Sequence, residues 1–136
     1  MGFAGMRYVE KIIVEEGIES IDTEGIPIEN LRQIQLPSTM TGIADRLFKN
    51  AAKLEKVYPT GEEPKEGVAV KLPEGIVAVG VRAFDSCREL KGKVELPAAL
   101  TEVKESAFIS CTGFTELTFA SGGRQQEPDL WETGVL

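Results

Sequence analysis

The side chains most able to do chemistry in this 136-residue chain are two cysteines, Cys87 and Cys111, and 22 acidic residues; histidine is absent. Without histidine there is no Ser-His-Asp or Cys-His catalysis, no His-ligated zinc and no imidazole base. Two cysteines cannot close a four-coordinate Cys/His zinc site within one chain. A thiol with no base beside it is mostly protonated at neutral pH and a weak nucleophile. The carboxylate pairs Glu15-Glu16 and Glu62-Glu63 lack calcium-loop spacing, and neighbours along a chain need not converge, so they read as solvated charge. Gly122-Gly123 is not followed by the Lys-Ser/Thr pair of a phosphate loop. The expectation is therefore no catalytic residue, no metal, no cofactor and no enzyme. The cysteines and Trp131 need another explanation, and it lies in the elements that carry them.

Three segments align without gaps: 34–54 (IQLPSTMTGIADRLFKNAAKL), 70–90 (VKLPEGIVAVGVRAFDSCREL) and 94–114 (VELPAALTEVKESAFISCTGF). With Pro37, Pro73 and Pro97 as origins, Leu36, Leu72 and Leu96 come one residue before. Met40, Ile76 and Leu100 follow at three, Ile43, Val79 and Val103 at six, and Phe48, Phe84 and Phe108 at eleven. Ala51, Cys87 and Cys111 follow at fourteen, and Leu54, Leu90 and Phe114 at seventeen. Seven positions in register across three segments make a repeat, which is the first thing to establish in a chain like this. Two weaker copies flank them, with Glu15 and Ala120 in the proline slot. In these copies Ile26 and Trp131 take the phenylalanine slot, so Trp131 reads as a core or capping residue ahead of an exposed ligand platform. The origins step by 22, 36, 24 and 23 residues; the long step contains YPTGEEPKEG (58–67), whose Pro, Gly and Glu content reads as an exposed insertion.

Before each origin the chain alternates, as in Ile34-Gln35-Leu36, Val70-Lys71-Leu72 and Val94-Glu95-Leu96. Period two with β-branched residues predicts a short half-buried strand, ended by a proline that cannot donate to a ladder. Ala-Phe-x-x-Cys spaces its apolar residues by three, which suits one helical turn. A single unit cannot fold alone. Its seven or so apolar side chains contribute roughly 1.5–3 kcal/mol each when buried. Ordering its residues costs on the order of 1.5 kcal/mol apiece, so neighbours must stack to cover both faces. The reading is a single repeat-solenoid domain over 1–136, of about five units with degenerate, capping ends, one parallel strand per unit and a phenylalanine column as its spine.

Cys87 and Cys111 fall in the same slot of adjacent units, where stacked Cα atoms near 5 Å fit a disulfide at about 4.4–6.8 Å. The slot is apolar and holds Ala51 in another copy, so two reduced, buried thiols are the expected state.

The pattern carried by VKLPEGIVAVGVRAFDSCREL and VELPAALTEVKESAFISC resembles the BspA-like, or treponemal-type, leucine-rich repeat. The resemblance implies a leucine-rich-repeat, right-handed β/α (mostly β) superhelix with short parallel strands and helical turns. It further implies a surface or secreted protein associated with adhesion and protein binding. Within this sequence MGFAGMRYVEK is not an intact secretory signal, which leaves a cytoplasmic location as the alternative.

The outward strand positions form the surface best suited to a partner. Two residues before the origins lie Ile13, Gln35, Lys71, Glu95 and Thr118; four before lie Lys11, Gln33, Ala69, Lys93 and Glu116. The nine candidate contact residues are Lys11, Ile13, Gln33, Gln35, Lys71, Lys93, Glu95, Glu116 and Thr118. The competing reading is a solvated sheet face laced by cross-strand pairs such as Lys71–Glu95. Net charge −7 argues against nucleic acid and anionic membrane surfaces, and no apolar run is long enough for membrane insertion. The expected function is a non-catalytic protein-binding or adhesion module with a protein partner. The alternative is a structural repeat fragment or intracellular scaffold without a ligand of its own.

Overall fold

The computed structural model describes residues 6–22 and 26–120. The alternating segments are strands: β1 (Lys11–Ile13), β2 (Gln33–Leu36), β4 (Lys56–Pro59), β5 (Val68–Lys71), β7 (Gly92–Leu96) and β9 (Phe114–Phe119). They pair in parallel in the order β1-β2-β4-β5-β7-β9. Past each bend, β3 (Gly42–Ile43), β6 (Ala78–Val79) and β8 (Glu102–Val103) form a second parallel sheet in the order β3-β6-β8. One coil therefore runs strand, bend, short strand, turn and return, and successive coils stack as a β-solenoid.

The pairings reproduce the sequence alignment. Ile13 faces Gln35, while Lys71 faces Glu95 and Glu95 faces Thr118, all two residues before their origins. The aligned apolar slots are the core: Leu36, Met40, Phe48, Ala51 and Leu54 are buried, as are Leu72, Ile76, Phe84, Cys87 and Leu90 in the next full coil. The phenylalanine column is stacked, with ring centroids 5.1 Å apart for Phe48–Phe84 and 4.9 Å for Phe84–Phe108. Phe114 closes it edge-on at 5.6 Å from Phe108. These spacings lie in the favourable range for aromatic pairs. The first coil joins the same core, with Val14 buried and Ile12, Ile21 and Ile26 packed against it.

Two expectations are corrected. The Ala-Phe-x-x-Cys stretches are not helical; there is no helix among the described residues. Residues 45–50, 81–86 and 105–110 are turns whose second and sixth residues have left-handed backbones: Arg46 and Asn50, Arg82 and Ser86, Ser106 and Ser110, with φ between 54° and 64°. The left-handed residues divide the amides into two sets. Leu47, Lys49 and Ala51 donate within the coil to the carbonyls of Ala44, Arg46 and Phe48. Arg46, Phe48 and Asn50 donate to Val81, Ala83 and Asp85 of the next full coil. Arg82, Phe84 and Ser86 repeat this onto Glu105, Ala107 and Ile109. A helix would direct every amide along its own axis; here alternate amides tie coil to coil, which keeps buried backbone groups paired. Left-handed backbone in a non-glycine residue costs about 1–2 kcal/mol, and the inter-coil bonds offset that.

The second correction concerns 58–67. The extra length is not wholly an exposed loop: Lys56–Pro59 is strand β4, paired along its length with β2 from Gln33↔Lys56 to Leu36↔Pro59. Val57 takes the inward slot of Ile34, and Tyr58 is only 2% exposed. Thr60 thus stands where Pro37 stands, and the next origin, Pro73, follows after a shortened coil. That coil adds a strand to the main sheet but nothing to the β3-β6-β8 sheet or the phenylalanine column. Its return to β5 is irregular. β4 meets β5 at Val57↔Val70, and the β5–β7 register shifts between Val68 and Val70. At the shift Lys93 N–H donates to the Gly67 carbonyl at 2.8 Å. The same carbonyl lies where a Cβ on Gly92 would stand, and Gly92 has φ 124°, so glycine alone fits there.

Candidate partner-binding face

Strand pleating places alternate side chains on the outside of the main sheet. All nine residues named from the sequence are there, each exposed or half-buried. The register brings them into two rows. One runs Ile13, Gln35, Tyr58 and, beyond β4, Lys71, Glu95, Thr118. The other runs Lys11, Gln33, Lys56 and, beyond the register shift, Lys93 and Glu116. Ala69 is not in the second row: it is buried at the shift, and Val68 faces Lys93 instead. Lys56 and Tyr58 belong to the face and are absent from the sequence reading. The signal for them is Val57, 23 residues after Ile34, as an inward residue should be.

The face is divided in the middle. Tyr58 points outward yet is buried, because the loop 60–67 folds over it. Its hydroxyl accepts from Lys65 N–H at 2.7 Å and lies 3.1 Å from the Val68 carbonyl, to which it can donate. Burial pushes the Tyr58 phenol up from its ordinary value, so the hydroxyl stays protonated and able to donate. The loop is pinned on both sides. Gly61 N–H donates to Gln35 Oε1 at 3.1 Å, and Lys71 Nζ meets Glu62 Oε1 at 2.7 Å. Thr60 Oγ1 donates to the Val14 carbonyl at 2.6 Å. Lys71 therefore takes Glu62 as its ion-pair partner, not Glu95. The Glu62 hydrogen bond raises the Lys71 pKa above its ordinary value, outweighing desolvation, and Glu95 and Glu74 add to it. Lys93 reaches Glu116 only at 4.0 Å, a solvated pair contributing about 0–1 kcal/mol at most.

Each half of the face ends in a depression. At the C-terminal ends of β5, β7 and β9 lies a groove of about 440 Å³ lined by Lys71, Leu72, Glu74, Glu95, Leu96, Pro97, Ala98, Ala99, Thr118 and Ala120. Three of the nine sequence candidates, Lys71, Glu95 and Thr118, line it. At the other end of the stack, about 420 Å³ is bounded almost wholly by apolar side chains, among them Met6, Val9, Ile13, Ile18 and Ile26.

The cysteines lie on the far side of the core. Both are free thiols: Cys87 Sγ donates to the Phe48 carbonyl at 3.1 Å and Cys111 Sγ to that of Phe84 at 2.9 Å. Contact with Cys111 and burial push the Cys87 thiol up, so it stays protonated. Among the described residues no group of three or more Cys, Asp or Glu could hold a metal ion. Trp131, Gly122, Gly123 and the expected C-terminal cap lie outside the described residues.

Family comparison agrees with this geometry. The BspA type leucine rich repeat region family matches residues 1–62 and 66–128 in 6 copies, as many as there are strands in the main sheet. The chain belongs to the BspA-type leucine-rich-repeat family. No curated protein matches the sequence. Among solved structures the fold is similar to that of a leucine rich cell surface protein from Faecalibacterium prausnitzii A2-165, with TM-score 0.59 and 23% identity. The match covers 94% of this chain and 35% of that one, so this chain spans about a third of its length.

Proposed function

We propose that this chain is a non-catalytic protein-recognition module that engages its partner through the outward face of the main sheet, and that it works at a cell surface. The observation that carries the reading is the contrast in side-chain freedom between the two sides of each strand. Inward slots hold one class of residue in every coil: Ile12, Ile34, Val57, Val70, Val94, Leu117. Outward slots in the same strands change from Ile13 to Gln35 to Lys71 to Glu95 to Thr118. Packing dictates the first set. The second is free to be chosen for recognition, as laddered solenoid faces commonly are. The surface location is supported by the cell-surface protein that shares the fold. The absence of catalysis is supported by the lack of histidine and by the Cys87 thiol, which is protonated and hydrogen-bonded to the Phe48 carbonyl.

Site-specific photocrosslinking tests this reading. A benzophenone amino acid at Gln33, Lys93 or Glu116 should yield discrete crosslinked species in the native host, while the same probe at exposed Arg88 or Thr112 on the far side should not. Equal crosslinking from both sides would remove the strand face as the binding surface.

A further inference from the structure

The groove at the C-terminal ends of β5, β7 and β9 has a chemistry that selects its occupant. Its apolar lining is small-sided, with Ala98, Ala99 and Ala120 around Leu72 and Leu96. Its charge is unbalanced. Among the described residues Lys71 is its one cation, and it is already held by Glu62 at 2.7 Å. Glu74 and Glu95 also line it, and among the described residues neither forms an ion pair. The groove therefore offers an apolar seat flanked by two carboxylates without ion-pair partners. Its walls are the ends of three strands and the bends that follow them, a surface along which an extended peptide can lie.

We propose that this groove binds an extended peptide segment of a protein partner, seating an aliphatic side chain on the alanine and leucine lining and placing a Lys or Arg against Glu74 and Glu95. The proposal rests on the partner-recognition reading above and gives it a partner class. Anionic ligands meet the wrong charge here, and so does a second copy of this chain, which carries net charge −7 and the same acidic groove.

The test uses the full chain and three fluorescein-labelled decapeptides in a Gly/Ser background, with central Lys-Leu-Lys, Glu-Leu-Glu or Lys-Ser-Lys, read by fluorescence polarisation. The Lys-Leu-Lys peptide should bind, and each of the other two at least tenfold more weakly. Its affinity should fall at least tenfold in the Glu74→Lys, Glu95→Lys double variant, and higher salt should weaken it. Ala99→Trp, which fills the half-exposed apolar seat, should abolish binding with an unchanged melting temperature. Equal binding of the Lys-Leu-Lys and Glu-Leu-Glu peptides, with loss of both in Ala99→Trp, would overturn the basic partner class while leaving recognition at the groove. No binding of any peptide, with strand-face crosslinks intact, would overturn the groove and leave the recognition reading standing. Self-association that Ala99→Trp abolishes would assign the groove to a second copy and overturn the proposal.

Discussion

The strand side and the turn side of this solenoid obey different rules. Between β2 and β5 the strand side takes two steps, through β4, while the turn side takes one, directly from Phe48 to Phe84. The phenylalanine spacing does not widen there: 5.1 Å across the shortened coil against 4.9 Å at the next step. The extra strand spacing, about 4.8 Å, thus falls on the strand side alone. The turn side is held by close ring stacking and by alternating inter-coil amide bonds, and it closes directly across the shortened coil without a gap. The strand side tolerates an inserted strand, a register shift and a loop across its face. Regularity resides where buried rings must stack, and variation resides where side chains meet solvent or a partner.

The largest test of this contrast is truncation on the turn side. Phe84→Ala removes the middle ring of the stack, fully buried between Phe48 and Phe108, and should cost roughly 3–5 kcal/mol by urea denaturation. Lys93→Ala on the outward face should stay within about 0.5 kcal/mol. Comparable losses at the two sites would break the comparison.

A smaller effect sharpens the account of the shortened coil. Tyr58→Phe removes the hydroxyl that receives Lys65 N–H and leaves that amide unpaired, at a cost of about 1–3 kcal/mol. The local consequence is more telling than the global one: trypsin should cut after Lys65 faster in the variant, because the loop loses a tether. Unchanged cleavage would mean that the Thr60, Gly61 and Glu62 contacts hold the loop by themselves.

Next comes the left-handed backbone. Ser110 is exposed with φ 62°, so its side chain adds little beyond its conformational cost. Ser110→Val should destabilise by about 1–2 kcal/mol relative to Ser110→Gly, measured by thermal melting. If valine and glycine are equivalent, the turn is not left-handed at that residue.

The smallest effects are in pH dependence. The Ser38 hydroxyl donates to Glu16 at 2.6 Å and the Ser38 amide at 3.0 Å, and these bonds hold the exposed Glu16 carboxyl below its ordinary value of 4.5. A depressed folded pKa stabilises the protein above the unfolded value and is lost as pH falls through the folded one. In Ser38→Ala the Glu16 pKa, followed by NMR titration, should rise toward 4.5. Lys71 has the opposite sign: its raised pKa stabilises below 10.5 and is lost as pH rises through the folded value, an increment that Glu62→Gln should reduce. The first probes the bend beside β2, the second the pinned loop.

Most of the turn side and five of the six main-sheet strands could be read from the sequence, because a fixed apolar register leaves the same slots in every coil. The nine outward residues followed from that register. The shortened coil was hidden because it carries neither the proline nor the phenylalanine that mark its neighbours; only Val57 keeps the inward slot. Next to Pro59, Gly61 and Pro64, that single residue does not outweigh a loop-like composition. The turns were misread for another reason. Apolar spacing of three fits a helical turn and also fits a turn whose second and sixth residues are left-handed, and apart from Asn50 the residues there, Arg46, Arg82, Ser86, Ser106 and Ser110, do not announce positive φ by type. The groove at the strand ends was not legible, since it depends on how Ala98, Ala99 and Ala120 meet across coils.

Amide hydrogen exchange across residues 56–67 tests most directly whether the strand side carries a layer that the turn side lacks. In the structure Lys56 N–H donates to the Arg32 carbonyl at 3.1 Å and Thr60 N–H to that of Leu36 at 2.9 Å, at the two ends of β4. Both amides should be protected to a degree comparable with those of β2, while Glu63 and Glu66 in the exposed loop exchange rapidly. Uniformly fast exchange from Lys56 to Gly67 would show a plain loop there, and the difference between the two sides would vanish.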